Sequence, residues 1–153
     1  MYILVIGCGK VGYHLTKALI ADGHEVLVIE RDASQCIAVV EELGNVALLG
    51  DGSDVGVLHE AGASRAEVLI AATGNDEDNL AGCQVAKELF QVGRTISILN
   101  DPGNGTLFEQ LGVDVTVSSA DMILKNIEEE LPVRSLVHVM PLRAVNRNVL
   151  EIR

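Results

Sequence analysis

Six residues near the N-terminus, Gly7-Cys8-Gly9-Lys10-Val11-Gly12, follow directly on the apolar run Met1-Tyr2-Ile3-Leu4-Val5-Ile6 and spell G-x-G-x-x-G at the end of a strand-like segment. Glycine has a steric use at each motif position: Gly7 permits a tight strand-to-helix turn, Gly9 lets backbone approach a diphosphate, and Gly12 lets the following helix pack closely. Free N–H groups at the start of that helix would hold phosphates through the backbone, with the helix dipole adding roughly half a positive charge. Glu30 ends the next apolar run. A carboxylate there accepts hydrogen bonds from ribose hydroxyls and repels a 2′-phosphate, which favours NAD or an adenine nucleotide over NADP. Arg31 beside the acid weakens that preference, because a guanidinium can turn to meet a phosphate. Cys8 has no activating partner in the sequence and reads as a small filler rather than a nucleophile.

Three further polar segments fall where strand C-termini converge, the edge at which open α/β sheets bind ligands. Gly50-Asp51-Gly52-Ser53-Asp54 offers flexible backbone, a carboxylate and a hydroxyl near the expected adenosine. Thr73-Gly74-Asn75-Asp76-Glu77-Asp78-Asn79 places Gly74 where backbone can approach a diphosphate or ribose, and Asn100-Asp101-Pro102 follows the next strand. Each segment also reads as a polar turn with a helix cap, Ser53 or Asp54 and Asp76 being ordinary N-terminal helix residues. His14, His24, His59 and His138 are the acid–base candidates for an alternative, a small NAD-dependent oxidoreductase, yet none falls in a strand-end loop. A metal module built on Asp76, Glu77 and Asp78 lacks the spacing of a Ca²⁺ loop. Cys8, Cys36 and Cys83 are odd in number and widely spaced, which suggests buried free thiols rather than disulfides or zinc ligands.

The elements that must position these groups alternate between apolar strand-like runs and helical patterns, the signature of a parallel sheet covered by helices. Strands are expected at Met1–Ile6, Glu25–Glu30, Asn45–Leu49, Val68–Ala72, Ile96–Leu99 and Val113–Val117. The first helix puts Val11, Leu15, Ala18 and Leu19 on one face and ends at Gly23; Asp32 with Gln35 resembles a capping box opening a helix that stops at Gly44. Leu80, Cys83, Ala86 and Phe90 recur at helical spacing after the fourth strand, and Pro102 suits the first turn of another helix. A last helix, about Ala120–Leu131, carries Ala120, Ile123, Leu124, Ile127 and Leu131 on one stripe, which needs cover from its own sheet or a partner subunit. Beyond Pro132, Leu136–Met140 and Val149–Ile152 read as two short strands joined through Arg143 and Arg147. The fold class is therefore α/β: a Rossmann-like, doubly wound, mostly parallel six-stranded sheet with helices on both faces, plus a short C-terminal strand segment.

With 153 residues the chain is one domain, or one domain plus a fragment, and too short to pair a nucleotide domain with a catalytic one. A formal charge of −11 and the lack of a Lys/Arg cluster argue against nucleic acid as partner. No apolar run approaches the roughly 18 residues of a membrane span, and the N-terminus lacks a signal-peptide pattern, so a cytoplasmic chain without direct membrane insertion is expected.

In order along the chain, YILVIGCGKVG, GDGS, AATGNDEDN and LNDPGN resemble the RCK/TrkA-N family, cytosolic nucleotide-binding subunits and domains that regulate potassium channels and transporters. The resemblance covers about residues 1–131; it implies an N-terminal nucleotide-binding domain over 1–132, with 133–153 as the start of a C-terminal domain cut short. It further implies a regulator rather than an enzyme, binding NAD(H) or ATP/ADP, assembling as homodimers and often rings, and acting on a membrane potassium transporter or channel subunit. Position by position, Gly7, Cys8, Gly9, Lys10 and Val11 would hold the diphosphate, Glu30 the ribose, Asp51, Gly52 and Ser53 the adenosine, and Thr73 and Gly74 the far side. Lys10 stands where relatives often carry arginine near the phosphates. Ile98 replaces an arginine that relatives commonly carry two residues before the asparagine of the NDP segment.

Overall fold

The computed structural model describes residues 1–130. The expected strands Leu136–Met140 and Val149–Ile152, with Leu131, His138, Arg143 and Arg147, lie outside the described residues. The elements run Tyr2–Ile6 (β1), Lys10–Ala21 (α1), Glu25–Glu30 (β2), Ala33–Leu43 (α2), Ala47–Leu49 (β3), Val55–Glu60 (α3), Val68–Ala71 (β4), Asp76–Phe90 (α4), Arg94–Leu99 (β5), Gly105–Gln110 (α5), Val115–Ser118 (β6) and Ser119–Glu130 (α6). Met1–Ser119 forms one compact unit, and Ala120 opens a second, of which the rest of α6 is described.

The six strands lie in the order β3-β2-β1-β4-β5-β6, with every pairing parallel. The sequence order of the strands reverses between β1 and β4, which opens a crevice at their C-terminal ends. Register brings the site residues level there. Ile6 pairs with Ile29 on one side and Ala71 on the other, so Gly7, Glu30 and Ala72 stand level at the C-terminal edge of the sheet, where Glu30 still pairs with Leu49.

Period-two alternation along β1 feeds two cores, and all five of its residues are buried. Tyr2, Leu4 and Ile6 pack with Leu58 of α3, Cys83 and Ala86 of α4 and Phe108 of α5; Ile3 and Val5 pack with Val26, Val28, Val39 and Ile70 under α1 and α2. Both faces of the sheet are thereby covered, as a parallel sheet requires.

Several boundaries differ from the sequence expectation. β5 begins at Arg94, which pairs with Val68, and β6 begins at Val115 because Val113 is drawn into the core, its N–H closing α5 onto Phe108 O at 3.0 Å. Asn45 and Val46 lie before β3, since Val46 N–H turns back to Gly44 O. The buried side of α1 is Gly12 and Thr16, flanked by half-buried Leu15 and Leu19, whereas Val11 is 43% exposed and Ala18 also faces outward. Close approach at Gly12 rotates the helix away from the face that hydrophobicity alone selects.

Candidate functional site

The glycine turn is shaped by three different constraints. Gly7 has φ +95°, and a Cβ there would meet Thr73 Cγ2 at 2.9 Å and Ala72 O at 3.0 Å. A Cβ on Gly12 would fall 2.0 Å from Gly7 O, so this glycine seats α1 against the turn itself. Gly9 has nothing within 4 Å of its Cβ position and opens onto the crevice. The turn and the helix start therefore need Gly7 and Gly12 for packing, while Gly9 borders open space.

Capping points the same way. Asp32 caps α2 through Ser34 N–H at 2.8 Å, Asp54 caps α3 through Val57 N–H at 3.1 Å, and Asn75 caps α4 through Asp78 N–H at 3.0 Å. Gly9 precedes α1 with no side-chain cap. Its first-turn N–H groups have no intrahelical acceptor, which leaves them and the positive end of the dipole for an anion.

Glu30 faces this turn from the tip of β2. Its Oε1 accepts from Cys8 N–H at 2.6 Å and its Oε2 from Asp32 N–H at 2.8 Å. The Gln35 amide, with nitrogen toward the acceptors, donates to Cys8 O at 3.0 Å and Glu30 Oε1 at 3.2 Å. The expected Asp32/Gln35 capping box thus forms on one side only: Asp32 caps the helix, while Glu30, not Gln35, accepts the Asp32 N–H. A carboxylate has about four acceptor sites, so Glu30 retains capacity for ribose hydroxyls.

A cavity of about 260 Å³ lies between the turn and Glu30. Of the sequence-predicted residues, Gly7, Gly9, Glu30, Arg31, Asp51, Gly52, Ser53, Thr73 and Gly74 line it. Cys8, Lys10, Val11 and Gly12 are not among the lining residues. Cys8 is buried in the core beneath α1, where desolvation, reinforced by the Glu30 charge, pushes its thiol up to about 11. Lys10 and Val11 open α1 with exposed side chains. Across the cavity, Asp51 Oδ1 accepts from Ser53 N–H at 2.9 Å and Ser53 Oγ at 2.8 Å; these bonds hold the Asp51 carboxyl below its usual value. Arg31, which also lines the cavity, pairs with Asp78 at 3.0 Å and so joins β2 to α4.

Sequence reasoning missed the groups that fix the β4 side. Asn79 is fully buried: its Oδ1 accepts from Thr73 N–H at 3.0 Å and Thr73 Oγ1 at 2.6 Å, and its Nδ2 donates to Thr73 O at 3.1 Å. Asp76 does more than open a helix. It accepts from Asn100 N–H at 2.8 Å, Asn100 Nδ2 at 2.9 Å, Asp101 N–H at 2.9 Å and Asn104 Nδ2 at 2.9 Å. Desolvation raises its pKa, but these hydrogen bonds outweigh it and the carboxyl sits below its usual value. Gly82 is a third such position, because a Cβ there would lie 2.6 Å from Ile6 Cδ1 and 3.1 Å from Gly52 O. The Asp76 and Gly82 partnerships join segments distant in sequence, whereas Asn79 reaches six residues back to Thr73; the run of Asn and Asp around the fourth and fifth strand ends was the only trace of the two polar ones.

A parallel sheet in this order, with a glycine turn and an acidic strand tip at its switch point, defines a Rossmann-type nucleotide-binding fold. The chain belongs to the TrkA-N domain family, which it matches over residues 3–119. It is 37% identical over 118 residues to a Trk system potassium uptake protein TrkA homolog of Methanothermobacter thermautotrophicus, covering 77% of this chain and 54% of that one. With the Trk system potassium uptake protein TrkA of Mycobacterium tuberculosis it shares 35% identity over 153 residues, 99% of this chain and 69% of the other. The chain thus spans about half to two thirds of these relatives' lengths. Among solved structures, the GsuK channel bound to NAD matches with a TM-score of 0.69 at 25% identity, over 76% of this chain and 21% of that one. GsuK bound to ADP matches at the same score and identity, over 76% and 31%. Among the described residues no helix is long and apolar enough to cross a membrane.

Proposed function

We propose that this chain is a nucleotide-sensing regulatory component of a potassium transport system, which binds NAD(H) or ATP/ADP at the glycine turn and controls a membrane potassium transporter or channel subunit by conformational change. One observation carries the reading: α1, uncapped, opens onto the Gly9 space opposite Glu30, an arrangement fitted to a nucleoside phosphate. The names of its TrkA relatives and of GsuK, solved with NAD and with ADP, supply the context of potassium transport and the nucleotide class.

In this reading the backbone of Gly9, Lys10 and Val11 binds the phosphates, Lys10 reaches a terminal phosphate, Glu30 accepts from ribose hydroxyls, and Asp51 to Ser53 lie along the adenosine. Thr73-Gly74 closes the far side. A bound nucleotide shifts the equilibrium between two arrangements only by its difference in affinity for them, a coupling of about 1–3 kcal/mol on the usual scale. The chain acts as a homodimer, extending to a ring, with the apolar stripe of α6 as the dimer contact, and sits at the cytoplasmic side of the membrane through its transporter. Binding rather than oxidoreductase chemistry is favoured because no histidine among the described residues lines the cavity and burial raises the Cys8 thiol to about 11, which keeps it protonated.

Calorimetric titration with NAD, NADH, ATP and ADP tests the site. At least one should bind, and Glu30→Ala should weaken it about tenfold, the scale of one lost charge-assisted hydrogen bond. Absence of binding by all four to the unaltered chain would refute the assignment.

A further inference from the structure

We infer that a groove at the opposite edge of the sheet from the glycine turn is a docking site for a partner segment with arginine or lysine set between apolar residues, of the kind that cytoplasmic loops of membrane proteins present. This rests on the membrane partner in the reading above and gives that partner a place on the chain. The groove measures about 380 Å³ and lies where β1 and β2 begin and α3 ends. β1 separates it from the glycine turn, roughly 13 Å along the strand, so a segment seated here leaves the nucleotide cleft open.

The chain's own Arg65 shows how this wall takes a cation. Its guanidinium lies 3.6 Å from the centroid of the Tyr2 ring, while Nη1 donates to Glu25 Oε1 at 3.3 Å and Nη2 to Glu25 Oε2 at 2.7 Å. Arg65 thereby neutralises Glu25. Glu60, the last residue of α3, lines the same groove, is exposed, and has no hydrogen bond or ion pair among the described residues. Its carboxylate is the charge in the lining that lacks a counterion, and a cation from outside the chain supplies one. Half-buried Leu27 and Val46 add apolar surface beside it.

Charge narrows the class of partner. A net charge of −11 repels nucleic acid and anionic lipid and attracts basic polypeptide. Cytoplasmic loops of membrane proteins carry an excess of Lys and Arg close to their apolar spans, which matches an acidic groove with an apolar wall. An exposed ion pair adds little by itself. The apolar surface therefore carries part of the contact, and reversing one charge weakens docking severalfold without abolishing it.

Amide chemical-shift mapping by NMR on the 153-residue chain tests the site. The probe is a capped pentapeptide alternating leucine with arginine, and its control replaces arginine with glutamate. The arginine peptide should shift the amides of Glu25, Leu27, Val46 and Gly62 and spare those of Gly9 and Glu30. It should bind Glu60→Lys at least about fivefold more weakly, with Glu60→Gln in between. Equal affinity for Glu60→Lys, equal shifts from the glutamate peptide, or shifts centred away from the groove would overturn the inference. So would concentration-dependent shifts at these amides without peptide, which would make a second copy the occupant. ADP added to the same samples reads the glycine turn separately. A chain that responds to ADP at Gly9 and Glu30 but not to the peptide overturns the docking site alone; one that takes the peptide and ignores all four nucleotides refutes the nucleotide site alone.

Discussion

At the scale of single residues, the glycine turn separates what the fold needs from what a ligand needs. Gly12 belongs to the fold, since any Cβ would lie 2.0 Å from Gly7 O. Gly12→Ala should therefore lower stability by about 3 kcal/mol or more, the upper end of overpacking, read as a fall in the urea midpoint. An unchanged midpoint would mean that α1 can shift without loss. Glu30 shows a residue with two tasks in the proposed site: it orders the turn through Cys8 N–H while standing at the proposed ribose position. Its place at the tip of an apolar run was legible in the sequence, but its bond to Cys8 was not. That bond depends on the register that brings Ile6 beside Ile29, which pairing sets and local pattern does not.

At the scale of elements, the crevice is held by side chains that bridge loops. Asp76 links the start of α4 to the segment after β5. Its carboxyl titrates below its usual value when folded, so its stabilisation is complete above the unfolded value of about 3.9 and disappears as pH falls through the lower folded value. Asp76→Asn should be less stable than the unaltered chain at neutral pH, and the gap should close on acidification below about pH 4 in urea melts. A gap constant over that range would show that the charge of Asp76 contributes nothing. The alternation of strands and helices was readable because Val, Ile and Leu runs alternate with helical spacing and glycine stops. Asn79 and Gly82 were not readable as buried groups: hydrophobicity marks Leu80, Cys83, Ala86 and Phe90 as the inner face of α4, whereas close contact with Thr73 and Gly52 places a polar residue and a glycine there too. The sequence likewise marked the strand-end loops as ligand-facing, but not that those after β4 and β5 bond to one another.

At the scale of the whole molecule, a sensor must convert occupancy into a change in assembly. The stripe of Ala120, Ile123, Leu124 and Ile127 on α6 is the proposed contact between copies, and a charge placed there would have to be buried without a partner. Light scattering should show Ile123→Asp or Ile127→Asp shifting a dimer to monomer; an unchanged mass with folding intact would remove α6 from the interface. The proposed site depends most directly on whether the space at Gly9 holds a nucleotide phosphate. Gly9→Val adds a side chain where no atom lies within 4 Å and where φ is −73°, so the fold should survive. Calorimetric titration with ADP should then give a clear binding isotherm for the unaltered chain and, for Gly9→Val with an unchanged melting temperature, affinity reduced at least about tenfold. Equal affinity in the two proteins would contradict the account.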